Sequence, residues 1–382
     1  MPTALVLCIA DPAGNPRPNR MIRCLARDFQ VHVVSSGAAS LPGVVCDQLR
    51  QTPRSLGRRL AKILRLAIRR YDGLVWTPQL RALAAKHRAL DHAFITVHEL
   101  RLLPFALAIR RSGRLLFDAR EYYPRHYEDI LWWRLLYQPF NRALCREYLP
   151  RADHVVTICR GLADEYEREL GVHCELLPSY PAPVACKPQP VDPSRIRLVH
   201  HGLASRSRQI ELMIEMVDHL PVNFTLDLFL MPSEDGYLGF LRRMCATRPR
   251  VRLLAPLPFA ELVPATNGYD IGVFLVPPVN FNLRFALPNK FFEFVQARLM
   301  VAIGPSPEMA RLVHEHDLGV VAADFRPATL AAALAGLSLA DIERFKHNAH
   351  RAAAVLNSDQ TDALVRRIAL DPQPRIPAST PS

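Results

Sequence analysis

The sequence predicts an α/β protein of two domains, each built on a parallel sheet. Three observations carry this. The 382 residues exceed the roughly 150 of one ordinary core. Short β-branched or apolar runs alternate with helical patterns in both halves, which is how βα units read. Between Leu176 and Arg195, six prolines restrict the chain to extended or turned conformations and mark a linker. The first domain is therefore expected over 1–183 and the second over 184–355.

In the first half the runs Ala4 to Ala10, Gln30 to Ser35, Ala93 to His98, Arg114 to Asp118, His154 to Cys159 and Cys174 to Leu177 are predicted strands. After the linker, Ile196 to His201, Phe224 to Leu230, Val251 to Leu254, Ile271 to Val276, Met300 to Ile303 and Gly319 to Ala322 repeat the rhythm. Leu339 to Leu370 is largely helical in pattern, and the proline-rich stretch over 372–382 is expected to be a disordered tail.

Composition narrows the function classes. Nearly half the residues are apolar and 22% are charged, a folding balance that excludes collagen-like, mucin-like and acidic-tail proteins. No stretch offers the roughly 20 apolar residues of a bilayer span. The start MPTALVLCIADPAG lacks a basic n-region, so no signal peptide and a cytoplasmic location are expected. Eight cysteines without a CxxC pair read as reduced thiols. A net charge of +12 suggests an anionic partner: nucleic acid, an anionic membrane surface or a phosphorylated substrate.

Three segments carry candidate chemistry. In ALPNKFFEFVQARLMVAIGPSPEMARL, from Ala286 to Leu312, Pro288 suits the first turn of a helix whose buried stripe is Phe291, Phe292 and Val295. Lys290 and Glu293 share the other face. Free N–H groups and the helix dipole favour an anion there, so Lys290 makes a phosphate site, while Glu293 can accept from two ribose hydroxyls. An ordinary surface Lys–Glu pair has the same spacing.

In LVHHGLASRSRQIELMIEMV, from Leu198 to Val217, a strand ending at His200 and His201, a turn at Gly202 and a following helix give the geometry of a phosphate cradle. Arg206 and Arg208 in the turn are either diphosphate ligands or solvated arginines. No carboxylate or cysteine completes a zinc ligand set with the two histidines. The third segment, ADPAGNPRPNRMIRCL from Ala10 to Leu25, has one glycine rather than GxGxxG, so a loop over a cleft fits better than a nicotinamide site, with Asp11 and Arg17 as its polar candidates. The P-loop signature is absent. No metal and no cofactor are expected.

Those segments, with LLFDAREYYP and RADHVVTICRGLADEYERELGV, together resemble the family 4 glycosyltransferases of the GT-B fold, from the first strand to about Leu370. The resemblance implies two Rossmann-like domains with parallel sheets facing across a cleft. It implies C-terminal helices crossing back to the N-terminal domain, here 356–371. It also implies a metal-independent, retaining transfer from a nucleotide sugar of UDP or GDP type.

By the resemblance, Arg208 grips the diphosphate, Lys290 belongs to its phosphate site, and Glu293 is the ribose-holding second acid of a paired-glutamate motif. Gly202, Arg206, Asn289 and Glu308 complete the donor side. The first acid of the pair is replaced by Phe285, and Arg298 and Met300 stand where a glycine and a proline are usual. Asp118, Arg120 and Glu121, with Asp11 and Arg17, are acceptor-side candidates.

Residues 54–70, RSLGRRLAKILRLAIRR, place Leu56, Leu60, Ile63, Leu64 and Ala67 on one helical face and five cations on the other. This fits an interfacial helix on anionic lipid and equally a core-packed helix with a basic outer face. The aromatic stretch from Tyr122 to Tyr148 either lines an acceptor groove or fills the core. The expected function is transfer of a sugar to a glycan or lipid-linked acceptor in surface polysaccharide synthesis, at the inner membrane face. A non-catalytic or nucleic-acid-binding α/β protein is the alternative, although no zinc-finger spacing or RNP-type strand is present.

Overall fold

The computed structural model describes residues 1–37, 43–50, 55–234 and 236–371. The tail over 372–382 and Arg54 of the basic segment lie outside them. The chain divides into two compact units. Unit 1 comprises 1–178, 280–282 and the chain from Asp362 onward, and unit 2 comprises 179–279 and 283–361. The division falls at Pro178 and Ser179, at the first of the six linker prolines.

Unit 1 runs β1 (Thr3–Leu7), α1 (Pro16–Leu25), β2 (Gln30–Ser35), β3 (Val45–Gln48), α2 (Leu56–Ala67), α3 (Asp72–Val75), α4 (Pro78–Ala89), β4 (Phe94–Val97), α5 (Leu103–Ile109), β5 (Arg114–Ala119), α6 (Leu131–Tyr148), β6 (His154–Thr157), α7 (Arg160–Leu170) and β7 (Glu175–Leu176). Its seven strands are all parallel, in the order β3-β2-β1-β4-β5-β6-β7. Parallel strands are covered on both faces and so read as continuous apolar runs, as in TALVL, where all but the first residue are buried. The short half-exposed edge strand VCDQ lacks such a run, and no sequence pattern announces it.

The second half of the chain runs β8 (Ile196–Ala204), α8 (Glu211–Met216), β9 (Phe224–Pro232), α9 (Tyr237–Ala246), β10 (Val251–Leu254), α10 (Phe259–Thr266), β11 (Ile271–Phe274), α11 (Phe281–Arg284), α12 (Asn289–Gln296), β12 (Met300–Ile303), α13 (Pro307–His316), β13 (Gly319–Val321), α14 (Pro327–Ala335), α15 (Leu339–Ala352) and α16 (Ser358–Leu370), where α11 up to Asn282 and α16 from Asp362 belong to unit 1 and the rest to unit 2. Its six parallel strands are ordered β10-β9-β8-β11-β12-β13. Each sheet therefore reverses its winding once, at β1/β4 and at β8/β11, and the carboxyl ends of strands at such a reversal are where open α/β sheets bind ligands.

The C-terminal helical region is two helices, α15 and α16. A capping box, with Ser338 and Asp341 bonding reciprocally, starts α15, as expected for a strong N-terminus. From α16, Val365 and Ile368 join the unit 1 core beside Met21, Leu25 and Val33, and Arg366 clamps Asp28 through two hydrogen bonds of 2.7 and 3.0 Å. Where α12 packs on β11, a side chain at Gly272 would meet the Phe294 ring at 2.3 Å, so a glycine is required for that close approach.

Candidate functional site

The site in unit 2 is built by α12 and the carboxyl end of β8. Pro288 is extended (φ −78°, ψ 156°) and caps α12 rather than entering its first turn, and no side chain caps the helix start. The expected two-faced helix is buried all round: from Lys290 to Gln296 every residue is buried. Lys290 is 6% and Glu293 4% exposed, too little for a surface ion pair.

Strand β8 runs on past the two histidines through Gly202 to Ala204, so Gly202, at φ +130°, bends a strand instead of making a turn. A Cβ on Gly202 would stand 2.8 Å from Lys290 Nζ and 3.2 Å from Arg208 Nη1. The missing side chain is what lets the two cations converge on the Gly202 backbone.

Lys290 Nζ lies 3.2 Å from His200 Nε2 and 5.2 Å from the centre of the Phe274 ring. His200 Nδ1 is 2.8 Å from Val273 O. That carbonyl can only accept, which assigns the proton to Nδ1 and leaves Nε2 to accept from the lysine. Burial and then the Lys290 charge push His200 well below the ordinary imidazole range, and His201 likewise. His201 Nε2 faces Glu293 Oε2 at 3.5 Å.

For Lys290, burial and then Arg208 lower the pKa well below the usual lysine value, with Glu293 opposing. Among the described residues no carboxylate forms an ion pair with Lys290. A buried lysine that forms no carboxylate ion pair, next to a second cation, favours the arrival of an anion.

The other donor-side candidates fall around this centre unevenly. Asn289 is the first residue of α12 and Glu308 lies in the first turn of α13, buried at 5% exposure. Arg206 is turned outward, with its guanidinium 3.9 Å from Glu234 and 5.2 Å from the Tyr237 ring centre. Phe285 is half-buried, with the Arg284 guanidinium 5.4 Å from its ring centre.

In unit 1, Asp118 and Arg17 are partners. Two hydrogen bonds of 2.6 Å join them, and His98 Nδ1 lies 2.9 Å from Asp118 Oδ2. Burial opposes the charge on Asp118, but Arg17 and His98 prevail and hold its carboxyl well below the usual range. Asp11 Oδ1 accepts from Ala13 N at 2.9 Å and caps the turn before α1. Arg120 reaches Glu99 at 3.4 Å, and Glu121 lies 3.9 Å from His126.

His98 and Glu99 were not singled out by sequence, yet they follow β4 at the sheet reversal. Glu99 also accepts from Ile9 N at 2.9 Å. Burial raises its pKa against the opposing charges of His98 and Arg120. The signal was there in the order FITVHE, a buried strand followed at once by two titratable residues.

No family model and no curated protein matches the sequence. Solved structures do match its fold. Sucrose-phosphate synthase from Thermosynechococcus elongatus is 13% identical, with a TM-score of 0.72 over 96% of this chain and 98% of that one. Anabaena HepE in complex with UDP-glucose is also 13% identical, with a TM-score of 0.69 over 96% and 99%. WaaG, a glycosyltransferase involved in lipopolysaccharide biosynthesis, is 12% identical, with a TM-score of 0.66 over 96% and 99%. The chain therefore has the GT-B fold expected from its sequence, with two Rossmann-like units on parallel sheets.

Proposed function

We propose that this chain is a glycosyltransferase that passes a sugar from a nucleoside-diphosphate donor, held in unit 2, to a glycan or lipid-linked acceptor in surface polysaccharide synthesis. The convergence of Lys290 and Arg208 on Gly202 is the observation that carries it. When the glycosidic bond to the diphosphate breaks, charge develops on the β-phosphate oxygen. Fixed cations aimed at that position stabilise it without a divalent ion. Glu293 holds the ribose hydroxyls, Asn289 and Glu308 border the donor, and the transfer retains anomeric configuration. A UDP donor is favoured because HepE is described with UDP-glucose.

Calorimetric titration with UDP, GDP, ADP and CMP, without added metal, tests the reading. One nucleotide, UDP, is expected to bind, and Glu293→Ala to abolish its binding. Silence from all four would overturn the proposal in favour of a non-catalytic or nucleic-acid-binding protein.

Helix α2 supports action at the inner face of the cytoplasmic membrane. Of its residues only Leu66 is buried, and Leu56, Leu60, Ile63 and Leu64 are all exposed, so this is not a core-packed helix. The exposed stripe and its flanking Arg58, Arg59, Lys62 and Arg65 suit an anionic bilayer. No helix of the described residues is long and apolar enough to cross one. Sedimentation with vesicles rich in phosphatidylserine is expected to carry down the wild type but not Leu60→Asp/Leu64→Asp. Equal sedimentation of both would remove α2 from the account.

A further inference from the structure

The turn that presents Arg208 is held by a residue from another helix. After β8 ends at Ala204, a single 3₁₀ turn over Arg206–Arg208 leads to Gln209 and then to α8. Gln209 lies in the left-handed region, at φ 44° and ψ 53°. That conformation costs an L side chain steric energy and persists only where the surroundings impose it. Neither Ser205 before the turn nor Ile210 before α8 supplies a side-chain cap.

Tyr237, the first residue of α9, supplies the bond that a cap would otherwise make. Its hydroxyl accepts from Ile210 N at 2.9 Å and donates to the Glu211 carboxylate. Ile210 is 0% and Tyr237 1% exposed, so water has no access to replace the bond to an amide that no helical carbonyl can reach. Burial, then the hydrogen bond to Glu211, raise the phenol pKa. The hydroxyl therefore keeps its proton, and its direction is fixed: donor to the carboxylate, acceptor from the amide.

The start of the turn has its own anchor. Glu234 accepts from Ser205 Oγ at 2.6 Å and from Arg206 N at 3.2 Å. Both grips thus come from the short segment that follows β9, but they differ in burial. The Glu234 side chain is 40% exposed, so water competes for its bonds, whereas the Tyr237 bonds are sealed. The buried anchor lies two residues beyond Arg208, with only the left-handed Gln209 between them.

We propose that Tyr237 is a positioning residue for the donor diphosphate. By holding Ile210 N and Glu211 it fixes the left-handed turn at Gln209, and through that turn it keeps the Arg208 guanidinium beside Gly202. The role rests on the reading of Arg208 as a diphosphate ligand, and it is exerted through Arg208 rather than by contact with the nucleotide.

A double-mutant cycle tests it, with UDP affinity measured by calorimetry on wild type, Tyr237→Phe, Arg208→Met and the double variant. Phenylalanine keeps the buried ring and removes only the hydroxyl. Tyr237→Phe is expected to weaken UDP about tenfold, the scale of one buried hydrogen bond left unmade, and Arg208→Met at least as much. The double variant should match Arg208→Met within about twofold, because the arginine that a loosened turn would misplace is gone. Glu211→Gln still accepts from the hydroxyl and should bind UDP as the wild type does.

A purely structural tyrosine would cost affinity equally with and without Arg208, so equal losses in the two backgrounds overturn the proposal. Unchanged affinity in Tyr237→Phe, where Arg208→Met loses it, does the same. A wild type that binds no UDP overturns the donor reading itself, and this role falls with it.

Discussion

Replacing Lys290 with methionine is expected to reduce nucleoside-diphosphate affinity by about a hundredfold, since charge-assisted hydrogen bonds to phosphate contribute about 1.5–3 kcal/mol each and a tenfold change corresponds to about 1.4 kcal/mol. Methionine keeps most of the aliphatic volume in a site that is 6% exposed, so packing changes little. The free variant should unfold close to the wild-type temperature, because removing a desolvated cation offsets the loss of its hydrogen bond to the buried His200 Nε2.

A second reading comes from protons. Burial, then Arg208, lower the Lys290 pKa in the free protein, and an arriving diphosphate favours the charged form and raises it again. Above the free-protein value the wild type must therefore take up a proton on binding, and its calorimetric heat must vary with the ionisation enthalpy of the buffer. Retained affinity in Lys290→Met would remove the lysine from the donor site. Loss of affinity with a lowered unfolding temperature would assign it a structural role instead.

The strands were legible because buried parallel strands are simple apolar runs: all twelve foreseen segments carry strand, and among the described residues only the half-exposed edge strand Val45–Gln48 was missed. Strand ends were less legible. β8 runs through Gly202 because that glycine's positive φ bends the chain without stopping the ladder, and a sequence shows only the glycine. Helical spacing placed Lys290 and Glu293 on one face, but spacing cannot tell an exposed face from a buried one, and α12 is covered on every side.

The same limit worked the other way at 56–67, where the amphipathic pattern was plain and only the fold shows the apolar face uncovered. Ion pairs across long separations were beyond reach. Arg17 and Asp118 are 101 residues apart, and nothing in either segment names the other. Glu99, by contrast, stands two residues past the end of a buried strand, where such sheets bind ligands, and that placement was legible although the sequence reading passed over it.

The Arg17–Asp118 pair leads to the second large effect. Asp118→Ala is expected to destabilise unit 1 by about 3–5 kcal/mol, the usual consequence of removing one member of a buried pair and leaving the other uncompensated. Arg17 and Asp118 are 8% and 0% exposed at their side chains, so solvent screening offers little relief. The folded-state pKa of Asp118 is depressed. Its contribution is therefore complete above the unfolded carboxyl value of about 4 and declines as pH falls below that toward the folded value.

Urea unfolding of wild type and variant should thus differ most at neutral pH and converge in acid. The double substitution Arg17→Met/Asp118→Leu should recover most of the loss, because it removes both charges and keeps the site filled. Asp118 was also an acceptor-side candidate, and the double variant separates the two roles. If the pair only braces the N-terminal sheet, the recovered protein should retain acceptor affinity. If Asp118 contacts the acceptor, stability returns while the acceptor KM stays raised. A single Asp118→Ala variant as stable as wild type at pH 7 would contradict the buried-pair account at its root.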